Sequence, residues 1–460
     1  MGSLFWGPFA DAYGRRISFM CSCGVITIFG WLSGLSRNYE ELLTLRFFVG
    51  MGVSGSTVPF DIFAEFLPSA VRGRSLMLTN LFWAIGELYV VLAAYMLLPK
   101  FGWQGLCFAS AAPVTIATIF SFFILPESPR WLITQGRYKE AEDIVNACAL
   151  HSSTKPKPFT FDPTKNMIRY REQTKQASID HAVDLRKESE HKNAEQSFCA
   201  IVGAHLSHTW KTYSELLTGK KLRGTTFKIG TIWGVFGFSY YGVVLLITRI
   251  YQAKVPDSED SYQLSIPTDS ESRSSNAICS FDYTGIAVNT SSEIFAILGL
   301  MLSIDTVGRR GSQMGSYGAC AISLVVMGTI PIKMQTPSAI LVLGYIMRMA
   351  SMASSSSTWV VTPELYPTKV RATAHSLVNT FARLGALFSP FLVVSKLPVF
   401  TVALILGLCD VLAVIAAWSL KETMGKPMDD SGSVKEGSVV EGVELSSITE
   451  NPLVSGFKKM

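Results

Sequence analysis

A hexapeptide of pattern Asp-x-x-Gly-Arg-Arg occurs twice in the chain, as Asp11, Gly14, Arg15, Arg16 and as Asp305, Gly308, Arg309, Arg310. A carboxylate and guanidinium groups at this spacing can form charge-assisted hydrogen bonds at a helix end. The glycine permits a turn that a Cβ would resist. A second pattern is also duplicated: Glu65, Pro68 and Arg72 match Glu364, Pro367 and Arg371, and Arg46 matches Arg348. The three offsets are 294, 302 and 299 residues, in constant order. A chain built of two homologous halves explains this. Two-fold repeats with a solute site at their interface are an architecture of secondary transporters. The blander role for these charges is to anchor helix ends and fix topology.

A second set of chemical groups lies inside apolar segments, where each charge is expensive and so a functional candidate. Glu87 sits in FWAIGELYVV and could bind a cation, carry a coupling proton or pair with a buried base. Arg383 sits in NTFARLGALFSP, with Asn379 one turn earlier on the same face. Arg46 and Arg348 fit helix–helix bonding at least as well as a solute role. Asp61, four residues before Glu65, is expected near water, and Arg249 and Asp410 are read as pairing or snorkelling groups. Tyr240 and Tyr241, with Phe236 and Phe238, flank a Gly-rich segment and could stack on a flat or cationic solute. MASSSSTWV offers hydroxyls either to helix packing or to a wetted face. No nucleotide loop, catalytic triad, CxxC or Cys/His metal spacing occurs in the sequence. An enzyme, a metal site and a cofactor are therefore not expected. Cysteines such as Cys21, Cys23, Cys107, Cys320 and Cys409 read as small apolar fillers.

The elements that position these groups are membrane helices. The 460 residues are 48% hydrophobic and 16% charged, against about 25% charged in soluble chains. Runs of ~20 apolar residues cover 17–36, 42–64, 76–98, 105–125, 227–250, 286–304, 312–332, 338–361, 373–395 and 398–419, with a short apolar piece at 2–10. The expected organisation is an N-terminal transmembrane half at 1–125, a central loop at 126–226, a C-terminal transmembrane half at 227–420 and a disordered tail at 421–460. Ala141, Ile144 and Cys148 share one face of a short amphipathic helix within Gly136–Leu150. The Lys/Arg-rich loops fall on one side if the spans alternate, which makes that side, and the tail, cytosolic. The net charge of +5 follows from this topology and does not suggest nucleic-acid binding. Asn289 opens an Asn-Thr-Ser glycosylation sequon close to a span.

GPFADAYGRR, RFFVGMG, AEFLPSAVRG, PESPRWL, PELYPTKVRA and KETMG resemble the signature set of the major facilitator superfamily, in its sugar-porter and organic-ion branch. Longer stretches, including TPELYPTKVRATAHSLVNTFARLGALFSPF, are similar to synaptic vesicle 2-related proteins and related organic-ion porters. The resemblance implies an all-α polytopic fold of two pseudo-symmetric six-helix halves, the first N-terminally incomplete because the superfamily has twelve spans. It implies a plasma-membrane or vesicle-membrane carrier, a monomer, working by alternating access on a small organic solute, with a possible coupling proton or cation. A sugar transporter, or a non-transporting vesicle protein, is the alternative. The duplicated motifs become gates, with Asp11 expected to pair with Arg72 and Asp305 with Arg371. Glu65, Glu127, Arg130 and Glu364 extend that network. Glu87, Tyr240, Tyr241, Asn379 and Arg383 become the solute site, Arg383 toward an anion.

Overall fold

The computed structural model describes residues 2–69, 71–150, 210–219, 222–252, 283–330 and 337–426. Those residues are helical, with no strand among them. The first part comprises α1 (Gly2–Tyr13), α2 (Arg15–Gly34), α3 (Tyr39–Val53), α4 (Thr57–Phe66) and α5 (Arg72–Ile124). Two short helices follow, α6 (Pro129–Thr134) and α7 (Tyr138–Leu150). The second part comprises α8 (Arg223–Gln252), α9 (Tyr283–Ser303), α10 (Arg309–Thr329), α11 (Pro337–Glu364), α12 (Arg371–Val393) and α13 (Val399–Trp418). Among the described residues, eight helical segments are long and apolar enough to cross a bilayer.

Local chemistry sets the boundaries. Gly14 and Gly308, at φ 111° and 90°, open α2 and α10 in a conformation that other residues resist. Asn38 caps α3 by accepting from the Glu41 N–H at 2.8 Å, and Glu41 returns a bond to the Arg37 N–H at 2.9 Å. The spans expected at 76–98 and 105–125 form one 53-residue run, which Gly102 breaks with φ 61° and ψ −164°. At ~1.5 Å per residue the run would be far longer than a ~30 Å bilayer core, so the break makes it two crossings. The span expected at 42–64 contains a 3₁₀ turn, Ser54–Ser56, between α3 and α4. Ala141 of α7 is buried against Trp131 and Leu132 of α6, with Ile144 beside them. The expected loop and tail stretches at 151–209 and 427–460 lie outside the described residues.

The two halves meet along two pseudo-symmetric seams, α1 against α12 and α5 against α9. Ala10, Val58 and Ile62 pack on Ala372 at the first seam. Leu76, Met77 and Ala84 join Ile297, Leu300 and Ile304 at the second. Within the second half, α8 and α12 approach at backbone contact. A Cβ on Gly237 would lie 1.9 Å from the Ala382 carbonyl oxygen, and one on Gly385 would lie 2.3 Å from that of Gly234. Glycine is required at both positions by close helix approach, as in other membrane bundles.

Two expectations are corrected by burial. Asn289 lies within α9, is 4% exposed and donates its amide to the Gly285 carbonyl at 3.0 Å. A side chain held inside the bundle is out of reach of glycan transfer. Asp61 is fully buried, away from water, and faces His375 of α12 at 2.7 Å. Gly237→Val should separate α8 from α12 and cost about 1–3 kcal/mol. The expected result is a lower unfolding temperature in detergent. An unchanged melting curve would contradict the close approach.

Candidate functional site

The duplicated charges gather at one end of the molecule, where each half grips the other. Asp11 binds the Arg15 guanidinium at 2.6 Å and accepts from the Thr373 N–H at 2.8 Å and its hydroxyl at 2.6 Å. Asp305 repeats this, binding Arg309 at 2.5 Å and accepting from the Arg74 N–H at 3.2 Å. Thr373 and Arg74 occupy the same position in the first turns of α12 and α5. Each carboxylate therefore satisfies an orphan N–H at the positive end of a helix in the opposite half.

The ion pairs also cross between halves. Glu65 binds Arg371 at 2.6 Å, and Glu364 faces Arg72 at 3.6 Å. Each glutamate also contacts the arginine of its own half's motif, Glu65–Arg15 at 3.5 Å and Glu364–Arg309 at 3.2 Å. The expected pairs Asp11–Arg72 and Asp305–Arg371 are therefore corrected. The aspartates hold helix starts, and the second-motif arginines find the glutamates across the interface. The repeat told which positions correspond, but bonds across a pseudo-two-fold axis join one copy to the other copy's partner.

A further duplicated layer had not been singled out in full. Glu127 accepts from the N–H groups of Arg15 at 2.9 Å and Arg16 at 3.2 Å. Glu422 does the same for Arg309 at 3.0 Å and Arg310 at 3.1 Å. The next residues repeat as well: Ser128 donates to Glu65 and Thr423 donates to Glu364. The signal was present as PES and KET, 295 residues apart. Burial alone would raise the Glu422 carboxyl, but the N–H groups of Met424, Arg310, Arg309 and Thr423 hold it below the usual carboxylate range. Its capping contribution is therefore present at neutral pH and lost as pH falls through that lowered value. Arg130 donates to the Glu65 carbonyl at 3.1 Å, and the Arg16 side chain donates to the Phe122 carbonyl at 2.8 Å.

One to two turns from this network lies a cavity of about 210 Å³ between the halves. Four expected residues line it: Tyr240, Tyr241, Asn379 and Arg383. Its walls are largely aromatic, with Phe60, Trp83, Phe236 and Trp359. The Arg383 Nε is buried without a hydrogen-bond partner, and no carboxylate among the described residues lies within ion-pair distance of the side chain. Of the serine run, Ser355 reaches the cavity, whereas Ser357 and Thr358 contact Ser316, Gln313 and Tyr317 of α10. Packing against α10 therefore describes Ser357 and Thr358, and Ser355 faces the cavity.

Glu87 stands just behind the wall. It pairs with Arg348 at 2.5 Å, accepts from the Trp83 indole at 3.0 Å and lies 2.9 Å from the Tyr240 hydroxyl. Arg348 also binds Glu293 at 2.7 Å, a fully buried residue of α9 that sequence reasoning missed. An acidic residue inside span 286–304 was signal enough. The repeat-related Arg46 has no such role and donates to the Cys107 sulfur at 2.8 Å. His375, also missed, sits in a ring of Phe60, Trp233 and Trp359. Asp410 is buried and accepts from Ser239 at 3.0 Å, and so does not snorkel. Arg249 donates to the Val393 and Leu397 carbonyls at 2.7 and 2.8 Å, where a cation complements the C-terminus of α12.

The chain matches the model of the family described as sugar (and other) transporter over residues 1–224 and 274–433. It is 28% identical over 397 residues to the organic cation/carnitine transporter 7 of Arabidopsis thaliana, covering 86% of this chain and 75% of that one. It is 27% identical over 469 residues to the synaptic vesicle 2-related protein of Xenopus laevis, covering 99% of this chain and 75% of that one. Among solved structures it resembles the major facilitator superfamily proton:xylose symporter XylE at TM-score 0.65 and 19% identity, over 93% of this chain and 85% of that one. The last likeness concerns the fold.

With Ser355 replaced by cysteine as a cavity probe, Asp305→Asn should speed labelling by a reagent added from the network face. Losing one charge-assisted contact is worth about 1.5–3 kcal/mol, so roughly tenfold or more is expected. An unchanged rate would remove Asp305 from the closure.

Proposed function

The chain belongs to the sugar (and other) transporter family, and from that premise we propose that it carries a small organic ion by alternating access, with an anionic group of the solute held at Arg383. It is a multi-pass membrane transporter, and the family assigns no enzymatic role. The observation that supports the organic-ion reading is the mismatch inside the cavity. Arg383 has no carboxylate partner among the described residues, while Glu87 and Glu293 are already engaged by Arg348. A half-buried cation with an unpartnered Nε, beside an aromatic pocket, favours a ligand that brings its own negative charge. Asn379, one turn away, supplies an amide, and the faces of Tyr240, Tyr241, Phe236 and Trp83 suit a flat or cationic remainder. A relative named an organic cation/carnitine transporter agrees with a solute of mixed charge.

The ion-pair network supports the gating half of the reading. It joins the halves at one end only of the described structure, and its bonds are of a kind that water can replace when that end opens. In this reading the Lys- and Arg-rich end faces the cytosol of a plasma or vesicle membrane, and the protein acts as a monomer.

Uptake into proteoliposomes of labelled carboxylates, zwitterions, quaternary amines and hexoses would test the proposal. Carboxylate or zwitterion uptake should fall about tenfold to hundredfold in Arg383→Gln, the loss expected for a charged hydrogen bond, with folding checked by gel filtration. Hexose uptake alone, indifferent to that substitution, would overturn the organic-ion reading.

A further inference from the structure

The hydrogen atoms around Tyr240 do not add up unless one carboxyl beside it is protonated. The Tyr240 oxygen lies 2.9 Å from Glu87 Oε1 and 2.9 Å from Glu293 Oε1. A phenol has one proton and can donate to one of them. The second contact is a hydrogen bond only if that carboxyl carries a proton and donates it to the phenol oxygen. Charge counting gives the same answer. Glu87 and Glu293 share a single guanidinium, Arg348, at 2.5 and 2.7 Å. Two carboxylates against one cation leave one negative charge in a site where Glu293 is fully buried and its Oε2 has no partner. An uncompensated carboxylate there is costly, and taking up a proton removes the cost.

We propose that Glu87, Tyr240, Glu293 and Arg348 form a proton-binding site that holds one exchangeable proton between the two carboxyls. The proton belongs to the pair rather than to either residue. It leaves from a carboxyl O–H to water and returns from water, with no other bond broken. Glu87, its side chain 28% exposed against a fully buried Glu293, is the more open of the two and in this proposal carries the exchange. The four groups come from α5, α8, α9 and α11, so the site straddles the α5–α9 seam between the halves. Among the described residues, the other groups around it do not supply the missing charge. Trp83 of α5 is a neutral donor to Glu87. Tyr241 of α8 packs edge-on against Tyr240. Asn289 of α9 bonds its own helix, and Tyr95 and Tyr283 stack on each other further along the seam. Ionisable groups further along the packed elements include Arg383 of α12, across the cavity that Tyr240 lines, the Asp61–His375 pair of α4 and α12, and Asp410 of α13, which accepts from Ser239 beside Tyr240.

The site gives the proposed transport a coupling ion and a sign, and this step rests on the organic-ion reading. Deprotonation leaves a negative charge behind the cavity wall and opposes an anion at Arg383. Protonation removes it. Proton and anion therefore favour each other's binding, and by linkage the effect is reciprocal.

The proton can be read without any solute. Infrared difference spectra of the purified full chain, taken between alkaline and acid buffer, should show the carbonyl stretch of a protonated carboxyl. Glu87→Gln and Glu293→Gln should each abolish it, because either leaves one carboxylate matched to one arginine. Tyr240→Phe, which keeps both acids, should retain the band. It should weaken proton binding about threefold to tenfold, the worth of one hydrogen bond. Asp410→Asn, which removes a buried acid outside the site, should leave that component in place. A band that survives both glutamine variants and disappears in Asp410→Asn would overturn the proposal, as would no titrating band at all. Failure of Arg383→Gln to affect uptake would leave these spectra unchanged, so the two readings fail separately.

Discussion

Four guanidinium groups, those of Arg15, Arg72, Arg309 and Arg371, are withdrawn almost completely from water at one end of the bundle. The architecture there follows from the need to match them. Taking an ion from water costs several kcal/mol even after relaxation, and its partner returns that only with good geometry. Each arginine therefore meets Glu65 or Glu364, and Asp11 and Asp305 add bonds to helix starts across the interface. The net stabilisation of such a layer is small, because solvation is a close competitor. A lock with this property suits a machine of two states. In the proposed cycle it would specify one arrangement of the halves when dry and release them at modest cost when water enters.

Legibility in the sequence followed the physics of each signal. The duplicated motifs were readable because charges are rare in an apolar chain, so their spacing stood out. The helices were readable for the same reason, and the described span positions differ from expectation mainly at Gly102 and at Ser54–Ser56, where short breaks interrupt apolar runs. The pairing was not readable. A repeat gives equivalence between Arg72 and Arg371, but the bond each makes depends on which half faces it in space. Glu293 and His375 were passed over for a different reason. Their neighbours, SSEIF and TAHSL, do not recur, so only the cost of burying a titratable group marked them. Asp61 was misplaced because its spacing to Glu65 named a helical face, and a face does not say whether water or the partner half lies against it.

Between the two polar layers lies an aromatic one. Along α4 the order is Phe60, Asp61, then Glu65, and along α12 it is Arg371, His375, then Asn379 and Arg383. Along α11 Trp359 falls between Ser355 at the cavity and Glu364 in the network. Phe60, Trp233, Trp359 and His375 pack edge to face at this level, with ring centroids 4.9 to 6.1 Å apart. In the proposed cycle that layer would separate water at the ion-pair network from the cavity until the helices move. The separation would allow the proposed gate of charges and the proposed site of charges to share one interface without short-circuiting. It also sets what the aromatic layer must tolerate. Its one titratable member, His375, is held by Asp61 of the opposite half at 2.7 Å, so the layer is pinned across the same interface that would open in the proposed cycle.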